Sequence, residues 1–475
     1  MHTKKPPNIV FVNIDECKAS ALSCYGNEDA YTPNIDKLSQ EGILFEQSFT
    51  TMPKCAPARC SWLTGRYSHV EGHRTLPGFE IRKGENNLAL ELKKRGYRTG
   101  MFGKNHTMEE DFLSECFDEF YFGAKGKKKD SVEGEDPNLF RAHFRSKLHT
   151  EEELADTYHT EDGCDFIRKH KEGPFFLMLN INMPHPIYIN IEPFSEIIKS
   201  RNIKLPEKES LEETPAVLRK YREVYNLEML TEDYWRKIVE AYYSMVSFAD
   251  HCVGKVLQTI DDTGIRDNTI IVFTSDHGDF AGEHGAVEKY DTLFYDCLVK
   301  VPLIIRYPDC IKEVKRIESL VENVDIMPTI LALAGYDIPE WVQGKSLVGT
   351  MLESKPHRDA VFSEGGVEEH ALKKACSHMD KFYDIRPNYK YKQKTMEENP
   401  WTMCRSKMVR TDKWKLVFRV NGMKELYNLQ NDPNELQDVS LKPENCEIIM
   451  ELMEKLLKWC INTETDYPAV MDMRA

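Results

Sequence analysis

Asp15 closes an apolar, β-branched run from Asn8 to Ile14, and Asp276-His277-Gly278 follows a similar run from Thr269 to Thr274. Open α/β sheets bind ligands beyond the carboxyl ends of their strands. Two such ends carrying carboxylates and an imidazole would suit a hard or borderline divalent ion such as calcium, magnesium or manganese. A third segment, Cys55-Ala56-Pro57-Ala58-Arg59, adds a thiol and a guanidinium to that convergence. Each residue taken alone has a plainer reading. A lone Asp at a strand end is usually a helix N-cap, and a Cys before a helix is often a buried structural thiol. A loop Lys is usually a solvated charge, and His185, between Pro184 and Pro186, is a plausible turn residue.

The order of the segments weighs against the plainer readings. Cys55-Ala56-Pro57-Ala58-Arg59, with Thr64-Gly65 after it, resembles the sulfatase signature of Cys or Ser, any residue, Pro, Ser or Ala, and Arg, with a Thr-Gly further on. Gly103-Lys104-Asn105-His106, Pro184-His185-Pro186 and Gly282-Glu283-His284-Gly285 with Lys289 follow in the family's order. Val324 to Thr329, Glu425 to Leu429 and Asp432-Pro433 look like its later landmarks. From about Asn8 to Glu435 the chain resembles the sulfatase branch of the alkaline-phosphatase-like superfamily.

That resemblance implies a site and a mechanism. A maturation enzyme oxidises Cys55 to formylglycine, whose hydrated aldehyde presents two hydroxyls. Asp15, Asp276, His277 and residue 55 hold the divalent metal, with calcium ahead of magnesium or manganese. One hydroxyl attacks sulfur while His185 and Lys289 protonate the departing alcohol, and Arg59 holds the diol. His106, with Lys104 beside it, removes the proton whose loss expels sulfate and restores the aldehyde. His284, Arg66, Arg74 and His73 stay outside this set.

Two departures qualify it. The family's typical pair of aspartates is Asp15-Glu16 here, and its Asp-Asn pair is Asp276-His277. The latter resembles the choline-sulfatase and phosphonate monoester hydrolase branch, so Glu16 as a ligand stays open. A phosphonate or phosphate mono- or diester hydrolase is the alternative activity, and a non-catalytic sulfated-glycan binding protein is a remote one. Sulfated sugars, aryl or steroid sulfates and choline sulfate are the candidate substrates.

The elements that must position these residues follow from patterning. Asn8 to Ile14, Arg98 to Gly103, Pro174 to Ile181, Thr269 to Thr274 and Val301 to Tyr307 have little polar alternation and read as strands covered on both faces. Amphipathic helical stretches lie between them, at Asn87 to Arg95 and Ile238 to Ile260. The fold class is α/β: a large, mainly parallel central sheet flanked by helices. A polar break near Lys355 divides a catalytic domain, residues 1–355, from a smaller α+β region, 356–475. There Lys415 to Val420 and Glu425 to Leu429 read as antiparallel strands around Asn421-Gly422, backed by a helix with Ile448, Ile449, Leu452, Leu456 and Trp459 at helical spacing. Gly123 to Pro137 and Asn190 to Trp235 read as solvated insertions that wall the substrate pocket.

At 475 residues, 41% hydrophobic and 30% charged, the chain has an ordinary globular composition. Its net charge of −15 disfavours nucleic acid and anionic membranes, and requires local cations for an anionic substrate. The opening run has no signal-like apolar region, and thirteen cysteines without regular spacing read as reduced thiols, which together suggest the cytoplasm. A homo-oligomer stays open.

Overall fold

The structure, a computed structural model, describes residues 5–74, 80–123, 142–368 and 390–464. Past Gly123, the insertion expected to end at Pro137 lies outside the described residues. In chain order the strands are β1 (Asn8–Asp15), β2 (Ile43–Phe49), β3 (Arg98–Gly103), β4 (Glu119–Tyr121), β5 (Phe144–His149), β6 (Phe175–Pro184) and β7 (Tyr188–Ile191). They continue with β8 (Thr269–Ser275), β9 (Leu303–Arg306), β10 (Lys315–Glu322), β11 (Val361–Gly365), β12 (Ser406–Arg410), β13 (Trp414–Arg419) and β14 (Lys424–Asn428).

Eight of them form the main sheet in the order β10-β2-β9-β8-β1-β6-β3-β4. The sheet is parallel apart from β9, which runs antiparallel to both β2 and β8. All five runs expected to be strands lie in it. The sheet also takes in β2, β4 and β10, whose sequences are less uniformly apolar: β10 exposes Arg316 and Glu318 at the sheet edge. Every residue of β1 and β8 is buried. Side chains alternate across a strand, so Val10, Val12 and Ile14 enter one apolar layer and Ile9 and Phe11 the other.

The first layer is covered by the helix Glu232–Asp262, whose Tyr242, Met245, Val246, Ala249, Val253 and Val256 are all buried as their spacing predicts. The second holds Cys60, Trp62 and Leu63 of the helix Cys55–Thr64, and Leu88, Ala89 and Leu92 of the helix Leu88–Lys94. The latter helix starts at Asn87, whose Oδ1 accepts from Leu90 N at 3.0 Å. Removing this cap in Asn87→Ala is expected to lower stability by about 1 kcal/mol, read as a shift of the urea midpoint with unchanged slope.

The Asn190 to Trp235 insertion is less solvated than its charge density suggests. Its helix Ala216–Tyr225 buries Val217, Leu218, Tyr221 and Tyr225, and Tyr221 Oη donates to Val287 O at 2.8 Å. The charged residues that dominate its composition share an amphipathic helix with an apolar stripe.

Strands β11 to β14 form a separate antiparallel sheet. Met408, Val417 and Tyr427 join the first apolar layer, while Val409, Leu416 and Leu426 meet Ile449, Leu452 and Leu456 of the closing helix Cys446–Thr463. The expected turn at Asn421-Gly422 is present, with Gly422 at φ 90°. Among the described residues no helix is long and apolar enough to cross a membrane.

Candidate active site

Three neighbouring segments converge at the carboxyl ends of the central strands. Asp15 ends β1, Asp276 and His277 follow β8, and Lys104 follows β3, two strands from β1. Gly103 makes the last placement feasible: its φ is +95°, and a Cβ there would lie 2.0 Å from Asn180 O. Lys104 N donates to that same carbonyl at 3.0 Å. The ten-residue helix Cys55–Thr64 is buried on all sides, so no hydrophobic periodicity marks it, and it begins at Cys55 itself. Its first-turn amides are oriented to favour an anion.

Cys55 Sγ lies 3.1 Å from His277 Nε2 and 3.7 Å from Asp15 Oδ1. The candidate ligand atoms of Asp15, Cys55, Asp276 and His277 all lie within 4.8 Å of one another, and all four residues are buried. Arg59 directs its Nε to Asp276 Oδ2 (2.9 Å), its Nη2 to Asp15 Oδ2 (2.6 Å) and its Nη1 to Lys104 O (3.2 Å). Lys104 Nζ also meets Asp15 Oδ2, at 2.6 Å. Burial and Asp276 push the Asp15 carboxyl up, but Lys104, Arg59 and His277 together hold it below its ordinary value. Against burial, His277 and Arg59 do the same for Asp276. Burial and Asp15 raise the Cys55 thiol, yet Lys289, Lys104 and His277 bring it down to about 6. Two facing carboxylates, an imidazole and a depressed thiol, with Asp15 Oδ1 turned toward Cys55, are a donor set that fits a divalent cation.

Glu16 belongs to an adjoining group. It sits at φ +70°, a left-handed conformation uncommon for a side-chain-bearing residue, with its N–H on Asp276 Oδ1 at 3.0 Å. Its carboxylate pairs with Lys289 Nζ at 2.5 Å, and with Asp15 and His185 it makes a second set of candidate ligand atoms within 4.8 Å of one another. His185 Nε2 lies 3.2 Å from Lys289 Nζ and 3.5 Å from Glu16 Oε2. Because His185 Nδ1 donates to Pro186 O at 2.6 Å, Nε2 is the nitrogen that faces Lys289. His106 stands to one side, in the field of Lys104 and Arg59. Burial first, and then those two charges, hold its imidazole well below the usual histidine value, so it is neutral. Its Nδ1 is buried and has no hydrogen-bond partner among the described residues.

The site has further members that the motifs did not mark. Asp279 accepts from Tyr188 Oη at 2.6 Å, Lys54 pairs with Asp291 at 3.1 Å, and Lys392 meets Glu288 at 3.3 Å. Asp279 and Lys54 adjoin marked residues in sequence, and adjacency could have found them. Lys392 carries no local signal. His284, set aside as non-catalytic, pairs with Glu209 at 3.1 Å and so ties its loop to the insertion.

The sheet topology, with the cluster of Asp15, Cys55, Asp276 and His277 at the carboxyl ends of the central strands, is consistent with the alkaline-phosphatase-like superfamily. A profile of the sulfatase family matches residues 7–336, and the chain belongs to that family. It is a sulfuric ester hydrolase. An N-acetylglucosamine-6-O-sulfatase of Bacteroides thetaiotaomicron is 26% identical to it, over 95% of this chain and 86% of that protein. A structure solved with its substrate D-glucosamine-2-N,6-O-disulfate superposes with a TM-score of 0.74 at 22% identity, covering 97% of this chain and 98% of that one. A phosphonate monoester hydrolase from Silicibacter pomeroyi superposes with a TM-score of 0.77 at 20% identity, over 96% of each chain.

Proposed function

We propose that this sulfatase acts through Cys55 matured to formylglycine by a separate enzyme, beside a divalent metal held by Asp15, Asp276, His277 and residue 55. The observation that carries this reading is the meeting of Cys55 with His277 and Asp15, at 3.1 and 3.7 Å, on the helix that also supplies Arg59. Calcium is the first choice, given the two carboxylates. When bound, the metal would draw charge from the residue 55 oxygen and from the sulfuryl oxygens.

The chain's own residues supply the rest. Arg59 braces Asp15 and Asp276 in place of the expected contact to the diol, since its fork is already directed at the two carboxylates. Lys104 and the first-turn amides at residue 55 offer positive charge to the sulfuryl group. Lys289, hydrogen-bonded toward His185 Nε2, keeps a transferable proton beside the departing alcohol. Neutral His106 takes the proton whose removal releases sulfate. Glu16 orients Lys289, and we place it outside the metal's ligands.

If His185 serves the leaving group, His185→Ala should slow an unactivated ester by about 10²–10⁴-fold and 4-nitrophenyl sulfate much less. Equal losses on both would reassign His185. The Asp276-His277 pair favours a second reading as a phosphonate or phosphate ester hydrolase, which parallel rates on matched sulfate and phosphonate esters decide.

The relatives described above support a small sulfated sugar among the candidate substrates, ahead of aryl, steroid or choline sulfate. Twelve unpaired cysteines among the described residues support a reducing compartment, and we place the protein in the cytoplasm. We also propose 1–355 as the catalytic unit and 356–475 as a smaller one.

A further inference from the structure

Lys289 is flanked by a second buried lysine that comes from a distant part of the chain. Lys392 lies on the helix Lys390–Glu398, beyond the residues 7–336 matched to the family. Its Nζ donates to Lys289 O at 2.9 Å and meets both Glu288 carboxylate oxygens at 3.3 Å. The side chains of Lys392, Glu288 and Lys289 are 5%, 1% and 3% exposed. Glu288 is held in turn from its backbone, at φ +57°, with its N–H on Tyr188 Oη at 2.8 Å and its carbonyl accepting from Phe280 N at 3.0 Å.

The geometry sets up a competition. Lys289 Nζ lies 3.3 Å from Glu288 Oε1 on one side, and 2.5 Å from Glu16 Oε2 and 3.2 Å from His185 Nε2 on the other. A buried carboxylate needs a cationic partner. With Lys392 on both of its oxygens, Glu288 has that partner, and the Lys289 ammonium is left to face Glu16 and His185. Without Lys392, Glu288 would draw Lys289 toward itself and away from the leaving-group side.

We propose that Lys392 is a positioning residue: by neutralising Glu288 and holding the Lys289 carbonyl, it keeps the Lys289 ammonium on His185. The C-terminal region thereby completes the proton-donating half of the site. This rests on the role given above to His185 and Lys289.

The test uses the full-length matured enzyme and compares 4-nitrophenyl sulfate with phenyl sulfate, whose leaving group is less acidic. Lys392→Met is expected to lower kcat on phenyl sulfate by about 10–10²-fold and on 4-nitrophenyl sulfate by less than about threefold, with KM and metal content little changed. Lys392→Arg should recover most of the loss, because it keeps the charge. Glu288→Gln removes the competing carboxylate without emptying its space, so in the Lys392→Met background it should restore phenyl sulfate turnover. If the single variant folds poorly, this double variant and Lys392→Arg still decide the matter. Equal losses on both substrates, or no recovery in the double variant, would overturn the proposal. If His185→Ala itself shows no leaving-group bias, the underlying mechanism has failed instead. A bias in His185→Ala with none in Lys392→Met sinks the positioning role alone.

Discussion

Cys55→Ala is expected to abolish turnover, by about 10⁴-fold or more, while leaving the fold intact. The size follows from removing the proposed nucleophile, which the groups around it do not replace. The fold should survive because the side chain lost is small, and the helix it begins is anchored by Cys60, Trp62 and Leu63 in the second apolar layer. The same residue carries a chemical signature. In protein produced with a maturation enzyme, the peptide containing Cys55 should be lighter by about 18 Da, as a carbonyl oxygen replaces the SH group and one hydrogen of the β-carbon. An unmodified thiol in fully active protein would refute the aldehyde, and turnover within tenfold of wild type in Cys55→Ala would remove residue 55 from the reaction.

The second large effect belongs to Asp276. Asp276→Ala should lose bound metal, measured by elemental analysis per chain, together with activity on the order of 10³-fold or more, because a metal supplies several kcal/mol of transition-state stabilisation. Asp276 also accepts from Arg59 Nε at 2.9 Å, from Glu16 N at 3.0 Å and from His277 N at 3.0 Å. Its removal therefore leaves Arg59 Nε and two buried backbone N–H groups without their acceptor, although Arg59 keeps Asp15, and this is itself destabilising by about 1–3 kcal/mol or more. Asp276→Asn keeps the shape and an acceptor for Arg59 while removing the ligand charge. It does so at the cost of turning its amide NH2 onto the Glu16 and His277 N–H donors, so metal content is read alongside the urea midpoint to separate the two effects. Loss of metal and activity in a normally folded Asn variant is the expected result. A helix-capping aspartate would cost only about 0.5–2 kcal/mol and leave metal content unchanged, so that outcome would end the assignment.

Much of the site was legible as spacing. The strand runs ahead of Asp15 and Asp276 are buried on both faces, and burial of that kind leaves an unbroken apolar record in the sequence. The long helix was legible from its 3.6-residue stripe, although its true start, at Glu232 and one residue past Thr231, lies ahead of the stripe. Less legible were β2, β4 and β10, at or near the sheet edges, where partial exposure breaks the apolar run. The helix Ala216–Tyr225 was obscured in the same way, its buried stripe diluted by the charges of its outer face.

The sequence by itself determined which side chains were available for chemistry: a thiol in its Pro- and Arg-bearing signature, acids at two strand ends, and lysines and histidines in a set order. These features are local, and short segments suffice to record them. Tertiary structure decided how the side chains pair. The left-handed turn at Glu16 sends its carboxylate to Lys289 and His185 while its neighbour Asp15 faces Cys55. Arg59 is shared between two strand ends 261 residues apart in the chain, so its fork meets Asp15 and Asp276 only after the sheet has formed. Lys392 reaches Glu288 from a helix 104 residues away. Buried charges must find partners within a few ångströms, and which partners those are depends on chain segments that no local pattern links.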